Sequence, residues 1–152
     1  MEEVKIRKAE LDDIKKGLLE VFIEGYKYHQ NGRPDIFTIQ SDEELEQDLM
    51  RIFESDSMIV LLNDDRVIGY LSYKIKEKKG NKLMDIDQLV IKEGIRGKGF
   101  GKMLIEEAKK IANDNDCVRI VFNCWTFNEN ALNVYDHLGF KRQRIMYEMS
   151  LK

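Results

Sequence analysis

At 152 residues, with a formal net charge of −3 and 35% charged residues of both signs, the chain has the size of one domain with room for a core. It lacks the basic excess that would point to a nucleic-acid partner, and its apolar runs are far shorter than a membrane span. The start, Met1-Glu2-Glu3-Val4-Lys5, has no secretory apolar core, so a cytoplasmic location is expected. Cys117 and Cys124 form neither a CxxC pair nor a metal-ligand cluster with His29 and His137; both thiols read as packing residues, and no metal is expected.

In chain order, Val4 to Arg7 alternates briefly and predicts a short first strand. Asp12 and Asp13 favour a helix start, and Ile14, Leu18, Val21 and Phe22 follow at helical spacing. Gly25 to Ile39 breaks that spacing with Tyr26, Tyr28, His29, Asn31-Gly32 and the sole proline, Pro34, and predicts an irregular loop. Ser41 to Glu44 has the form of a capping box, ahead of a stripe of Leu45, Leu49, Ile52 and Phe53.

The period then changes. Met58 to Leu62 is a continuous apolar run, Asn63-Asp64-Asp65 a turn, Val67 to Ile75 a second such strand, Lys78 to Asn81 a polar turn, and Leu83 to Ile91 a third strand. An antiparallel meander is predicted. Past a glycine-rich stretch, Met103, Leu104, Ala108 and Ile111 mark the inward face of a helix ending at Asn113 to Asp116. Val118 to Trp125 predicts a strand, Asn128 to Leu138 a helix closed by Gly139 at C′, and Ile145, Tyr147, Met149 and Leu151 alternate as a last strand. Strand, glycine loop, helix and strand in one sheet make a right-handed parallel crossover. The fold class is therefore mixed α/β, a single domain over 1–152, antiparallel in its first half with a parallel pair in the middle. Such sheets bind ligands where neighbouring strands diverge at their carboxyl ends.

The junction Arg96-Gly97-Lys98-Gly99-Phe100-Gly101-Lys102 carries the chemistry. Its glycines let the backbone approach a ligand and turn N–H groups inward. The helix behind adds its dipole and unpaired donors, and Arg96, Lys98 and Lys102 add charge. The parts describe a phosphate or pyrophosphate site; a tight turn with solvated charges is the plain alternative. The spacing is not that of a P-loop, where GK precedes Ser or Thr, nor of the GxGxxG dinucleotide motif. It matches Arg/Gln-x-x-Gly-x-Gly/Ala through Arg96, Gly99 and Gly101.

With that motif, Asp85 to Ile91 and the run Asn128-Glu129-Asn130-Ala131…Tyr135…Gly139-Phe140, the chain resembles the GNAT superfamily of acyl-CoA-dependent N-acetyltransferases. The resemblance is specific over residues 57 to 141 and general before them. It implies a mostly antiparallel central sheet with helices on both faces and a bulged fourth strand splayed from the fifth, pantetheine lying in the gap. It implies that the amides of Lys98 to Lys102, with the Arg96 side chain, hold the pyrophosphate of acetyl-CoA. Leu89, Val90 and Ile91 would pair with pantetheine through their main chain, and Asn128 would contact the same arm while capping its helix.

Tyr135 matches the tyrosine that protonates the leaving thiolate in the family. Asp85 stands at the position of a glutamate that serves as base in many relatives, and Asp87 is two residues on. Tyr28 and His29 fall in a region that shapes the acceptor pocket. The expected reaction is direct acetyl transfer to a primary amine, and no cysteine sits where an acyl-enzyme would need one. A small-molecule amine is expected over a protein acceptor, in a monomer or homodimer. The rival readings are a non-catalytic acyl-CoA sensor on the same fold and an unrelated α/β nucleotide-binding protein.

Overall fold

The structure, a computed structural model, describes residues 3–152; Met1 and Glu2 of the charged start lie outside it. The order is β1 (Val4–Lys8), a 3-10 turn (Leu11–Ile14), α1 (Leu18–Gly32), α2 (Asp42–Ser55), β2 (Ser57–Asn63), β3 (Arg66–Lys78), β4 (Asn81–Ile91), α3 (Phe100–Asp114), β5 (Cys117–Phe122) and α4 (Glu129–His137). The strands lie side by side in sequence order, antiparallel from β1 to β4, with β5 parallel to β4. The meander and the parallel pair are as expected.

Two apolar layers hold the sheet. On one face α1 and α2 bury Leu18, Val21, Phe22, Leu45 and Leu49 against Val60, Leu62 and Tyr70. On the other α3 buries Leu104, Ile105, Ala108 and Ala112 against Leu61, Leu71, Met84 and Ile86. The capping box forms as read: Ser41 Oγ accepts from the Glu44 amide and Glu44 accepts from the Ser41 amide. At the first crossing, the guanidinium of Arg7 grips the buried carboxylate of Asp13 with two bonds of 2.8 Å.

Four expectations are corrected. Asp12 and Asp13 open only the 3-10 turn, and α1 starts at Leu18. The predicted loop over Gly25 to Ile39 is helical as far as Gly32, because tertiary packing overrides the Asn-Gly signal. Val90 seats both its methyl groups against Gly25, 3.1 Å from where a Cβ would stand, and the helix ends only beside Pro34. Met103 is 39% exposed, and Ile105 takes the inward place beside Leu104. The last predicted strand does not form within the chain. After α4 closes through Gly139 N–H to Asp136 carbonyl and Phe140 N–H to Tyr135 carbonyl, residues 141–152 run out exposed and unpaired with the sheet.

Candidate active site

The site begins where the sheet parts. β5 pairs with β4 from Lys82/Cys117 to Ile86/Phe122 and no further. β4 continues to Ile91, held on its other side by β3 through Gln88/Ser72, Leu89/Leu71, Val90/Tyr70 and Ile91/Gly69. Asp87 is the extra residue of a bulge, since Ser72 pairs with Gln88 while the next residue, Tyr73, pairs with Ile86. A bulge sharpens the local twist and turns the strand from its neighbour. The backbone edge of residues 87–91 thus faces a gap that β5 does not fill, with ladder groups available to a ligand. Leu89, Val90 and Ile91 lie along that edge.

The glycine loop lies just past the end of β4. Gly97 and Gly99 have φ near +83°, the left-handed region that glycine enters without steric cost. A methyl group placed on Gly97, Gly99 or Gly101 would meet nothing within 4 Å, so the loop opens onto free space. The first intrahelical bond of α3 runs from the Met103 amide to the Gly99 carbonyl at 3.1 Å. The amides of Phe100, Gly101 and Lys102 therefore precede any helical acceptor and point out of the helix start. Helix α1 fixes the approach to the loop: Glu24 accepts from the Glu93 amide at 3.0 Å, and Glu20 pairs with Lys92 at 2.9 Å.

Across the gap, aromatic side chains join α1 to the segment between β5 and α4. Tyr28 donates to Asn128 Oδ1 at 3.0 Å and lies 5.9 Å from the Phe127 ring. The His29 ring sits 5.4 Å from Phe37 and 6.0 Å from Phe127, with Nδ1 bonded to the Gly25 carbonyl. Phe37 in turn meets Trp125. The Arg96 guanidinium stands over the Tyr28 ring at 5.6 Å, which links the glycine loop to α1. Asn128 occupies the N-cap position, but its side chain makes no cap bond; its oxygen is engaged by Tyr28 instead.

Tyr135 sits at the fork. Its ring meets Phe122, the last paired residue of β5, edge-on at 4.5 Å, and packs near Phe140. Burial, with the nearby Cys124, pushes its phenol up to about 12, so it holds its proton at neutral pH. Burial raises the Cys124 thiol as well. The two candidate bases differ. Asp85 is taken up by Lys76 at 2.7 Å. Asp87 reaches solvent at the bulge, yet the surrounding protein raises its pKa by desolvation first and by Asp56 second, with Lys74 opposing.

The structure therefore gathers Asp87, Leu89 to Ile91, Tyr135 and the glycine loop around one gap, with Tyr28, His29 and Asn128 as a bridge over it, and leaves Asp85 in an ion pair at its margin. Sequence reading missed Asp56, whose 4%-exposed side chain lies 3.3 Å from Lys74, and Tyr70, which donates to Gln88 at 2.8 Å. Strand alternation could have placed Tyr70 and Gln88 on one face; no signal singled out Asp56. It also missed Phe37, whose ring lies between those of His29 and Trp125. Among the described residues, no group of three or more His, Cys, Asp or Glu is placed to hold a metal ion, and no helix is long and apolar enough to cross a membrane.

A mixed sheet parts at its parallel pair, and a glycine loop with outward amides stands at the head of the gap. Residues 23–140 match the acetyltransferase (GNAT) family, and the chain belongs to that family. It is 30% identical over 93 residues to N-alpha-acetyltransferase 30 of Schizosaccharomyces pombe, covering 60% of this chain and 62% of that protein. It is 27% identical over 89 residues to glucosamine 6-phosphate N-acetyltransferase of Trypanosoma brucei brucei, covering 57% and 58%. The matched stretch thus spans about three fifths of the length of these curated relatives. Among solved structures, a mutant of the BH1408 protein from Bacillus halodurans shares the fold with a TM-score of 0.86 at 19% identity, covering 97% of this chain and 99% of that one.

Proposed function

We propose that this protein transfers the acetyl group of acetyl-CoA to a primary amine by direct attack, with both substrates bound together. The observation that carries the reading is the parting of β4 from β5 after Ile86/Phe122, directly below a loop with outward amides. The pyrophosphate is held by the amides of Lys98 to Lys102 with Arg96, and the pantetheine arm lies along the free edge of residues 89–91. The gap fits such an arm because its wall offers main-chain donors and acceptors, and the loop fits a diphosphate because free space adjoins three glycines.

The amine arrives largely protonated, as an alkylammonium with a pKa near that of lysine, about 10.4. Asp87 accepts that proton, through a bridging water where its short side chain does not reach. Asp85, held by Lys76 at the margin of the gap, is the alternative base. The neutral amine attacks the thioester carbonyl, and a main-chain N–H of the bulged strand polarises the oxygen. As the C–S bond breaks, Tyr135 gives its proton to the departing thiolate, and the extra proton left on the attacking nitrogen passes through water to restore the phenol. A phenol raised by burial is suited to that step because it is still protonated at neutral pH.

Asp87 beside the gap favours a cationic acceptor, since Asp85 and Asp56 are engaged by Lys76 and Lys74, and Tyr28 and His29 form an aromatic wall with Phe127. The two curated relatives are named for an amino-sugar phosphate and for α-amino groups, both primary amines; a small molecule is the acceptor proposed. The test is release of free thiol from acetyl-CoA over a panel holding an aminoglycoside, a polyamine, glucosamine 6-phosphate and a peptide with a free α-amine. Turnover with a small amine is expected. Binding of acetyl-CoA with no thiol release from any member would favour a non-catalytic acyl-CoA module and overturn the reading.

A further inference from the structure

Three polar side chains next to Asp87 take no part in the proton transfers. Tyr70 and Ser72 on β3 are 1% and 0% exposed, and Gln88 on β4 is half-buried. Ser72 pairs directly across from Gln88, so the two side chains share a face of the sheet. Tyr70, two residues before Ser72, shares it too. This is the face that α1 covers, since Tyr70 packs in the layer of Leu18, Val21 and Phe22. The helix runs against β4: Glu20 binds Lys92, and Gly25 lies on Val90. One further turn advances about 5.4 Å and two strand residues about 6.8 Å, which sets Tyr28 and His29 level with Gln88. The polar trio therefore lies beside Asp87 and under the aromatic wall.

The bonding of these groups is incomplete. The Tyr70 hydroxyl donates to Gln88 Oε1 at 2.8 Å. Burial first, and Asp87 second, raise that phenol, so it stays a donor. Gln88 is thereby fixed with its oxygen towards Tyr70 and its amide hydrogens turned away. Those hydrogens meet no acceptor among the described residues. The Ser72 hydroxyl, fully buried, has no hydrogen-bond partner among them either. Buried hydroxyls are nearly always bonded, so an orphan beside a ligand gap points to a group that the ligand brings. The missing group must accept from an amide N–H and bond a serine oxygen. A hydroxyl does both, and an alkyl chain does neither. An ammonium cannot accept, and a carboxylate would stand against the like charge of Asp87.

We infer that Gln88 and Ser72 bind a hydroxyl on the carbon next to the one bearing the acceptor's amine, so that the preferred acceptor is a vicinal amino alcohol. Gln88 donates to the hydroxyl oxygen, the hydroxyl hydrogen goes to Ser72 Oγ, and Tyr70 positions Gln88. Gln88 follows Asp87 directly, with Cα atoms about 3.8 Å apart. An amine at Asp87 and a hydroxyl at Gln88 are thus held a few ångström from each other, the span of N–C–C–O. This acceptor class rests on the acetyl-transfer reading and narrows it. Gln88 and Ser72 set specificity and leave the proton transfers to Asp87 and Tyr135.

Two amines of equal size, 2-aminoethanol and propylamine, differ in the one atom this site reads. Thiol release from acetyl-CoA should give a kcat/KM about 10²-fold higher for 2-aminoethanol, below the ~10⁴-fold of a closed hydroxyl site because Gln88 is half-open. Gln88→Met keeps the side-chain length without the donors and should cut that ratio by about tenfold or more. Comparing ratios removes the difference in basicity between the amines. Ser72→Ala should lower the ratio as well, and Tyr70→Phe should raise KM for 2-aminoethanol more than for propylamine. A wild-type measurement covers a variant that fails to fold. In the complex with coenzyme A, the isotope-labelled side-chain amide of Gln88 should shift its resonance with 2-aminoethanol and not with propylamine. The same ratio in wild type and Gln88→Met, or an amide resonance indifferent to the hydroxyl, would overturn the inference and leave acetyl transfer standing. No thiol release from any amine would remove both.

Discussion

Tyr135 and Asp87 both have pKa values raised above the ordinary, Tyr135 chiefly by burial and Asp87 by desolvation and neighbouring carboxylates. The consequences differ because one is to give a proton and the other to take one. Replacing Tyr135 by Phe keeps the ring against Phe122 and removes only the acid. The kcat is expected to fall by about 10²-fold, the low end for a general acid, while the dissociation constant of acetyl-CoA stays the same; steady-state kinetics and calorimetry read the two separately. For Asp87 the raised pKa means that folding disfavours the charged form. Its unfavourable contribution is absent below pH 3.8, where the carboxyl is protonated folded or unfolded, and is complete above the folded value. Asp87→Asn should therefore slow turnover and raise the melting temperature at neutral pH. The gain should vanish as the pH is lowered towards 3.8, which thermal melts across the acid range would show.

At the scale of elements, the loop between β4 and α3 and the corner between β1 and the 3-10 turn depend on single residues. Gly99→Asp puts a side chain at φ +83° and a negative charge beside the α3 amides. Since free space surrounds the position, the fold should survive while acetyl-CoA affinity falls by roughly tenfold or more, about 1.4 kcal/mol. An unchanged affinity by calorimetry would remove the loop from the site. At the corner, burial alone would raise the Asp13 carboxyl, but the Arg7 guanidinium and the Glu10 amide hold it below its ordinary value. Arg7→Ala should cost about 2–3 kcal/mol, less than the ~3–5 kcal/mol of a pair buried on both sides, because Arg7 is partly solvated. The pair's contribution is present above pH 3.8 and is lost as the pH falls through the depressed folded value. Wild type and variant should therefore converge in acid denaturation.

For the molecule as a whole, the two apolar layers clamp β1 to β4 between helices, whereas β5, α4 and the tail meet less of the core. A ligand lying in the gap would tie the looser side to the firmer one. Acetyl-CoA at 100 times its dissociation constant should stabilise the fold by about 2.7 kcal/mol, a rise of roughly 5–10 °C for a domain of this size. ATP and NAD should leave the melting temperature unmoved. A shift with either nucleotide and none with acetyl-CoA would point to an unrelated nucleotide-binding role.

The sequence alone carried whatever depends on neighbours along the chain. The capping box at Ser41, the meander from Met58 to Ile91, the crossover through Gly99 and the cap at Gly139 are all local patterns whose geometry is set within a few residues. Contacts across the fold decided the remainder. Gly25 and Asn31-Gly32 signal a loop until Val90 packs against the helix they belong to, and Asp85 and Asp87 look alike until a bulge and Lys76 separate them. The alternation from Ile145 to Leu151 states a strand without naming its neighbour. Side-chain period reports which face is apolar, while a strand exists only where another edge accepts its hydrogen bonds, and the chain's own sheet does not offer one along the tail's path.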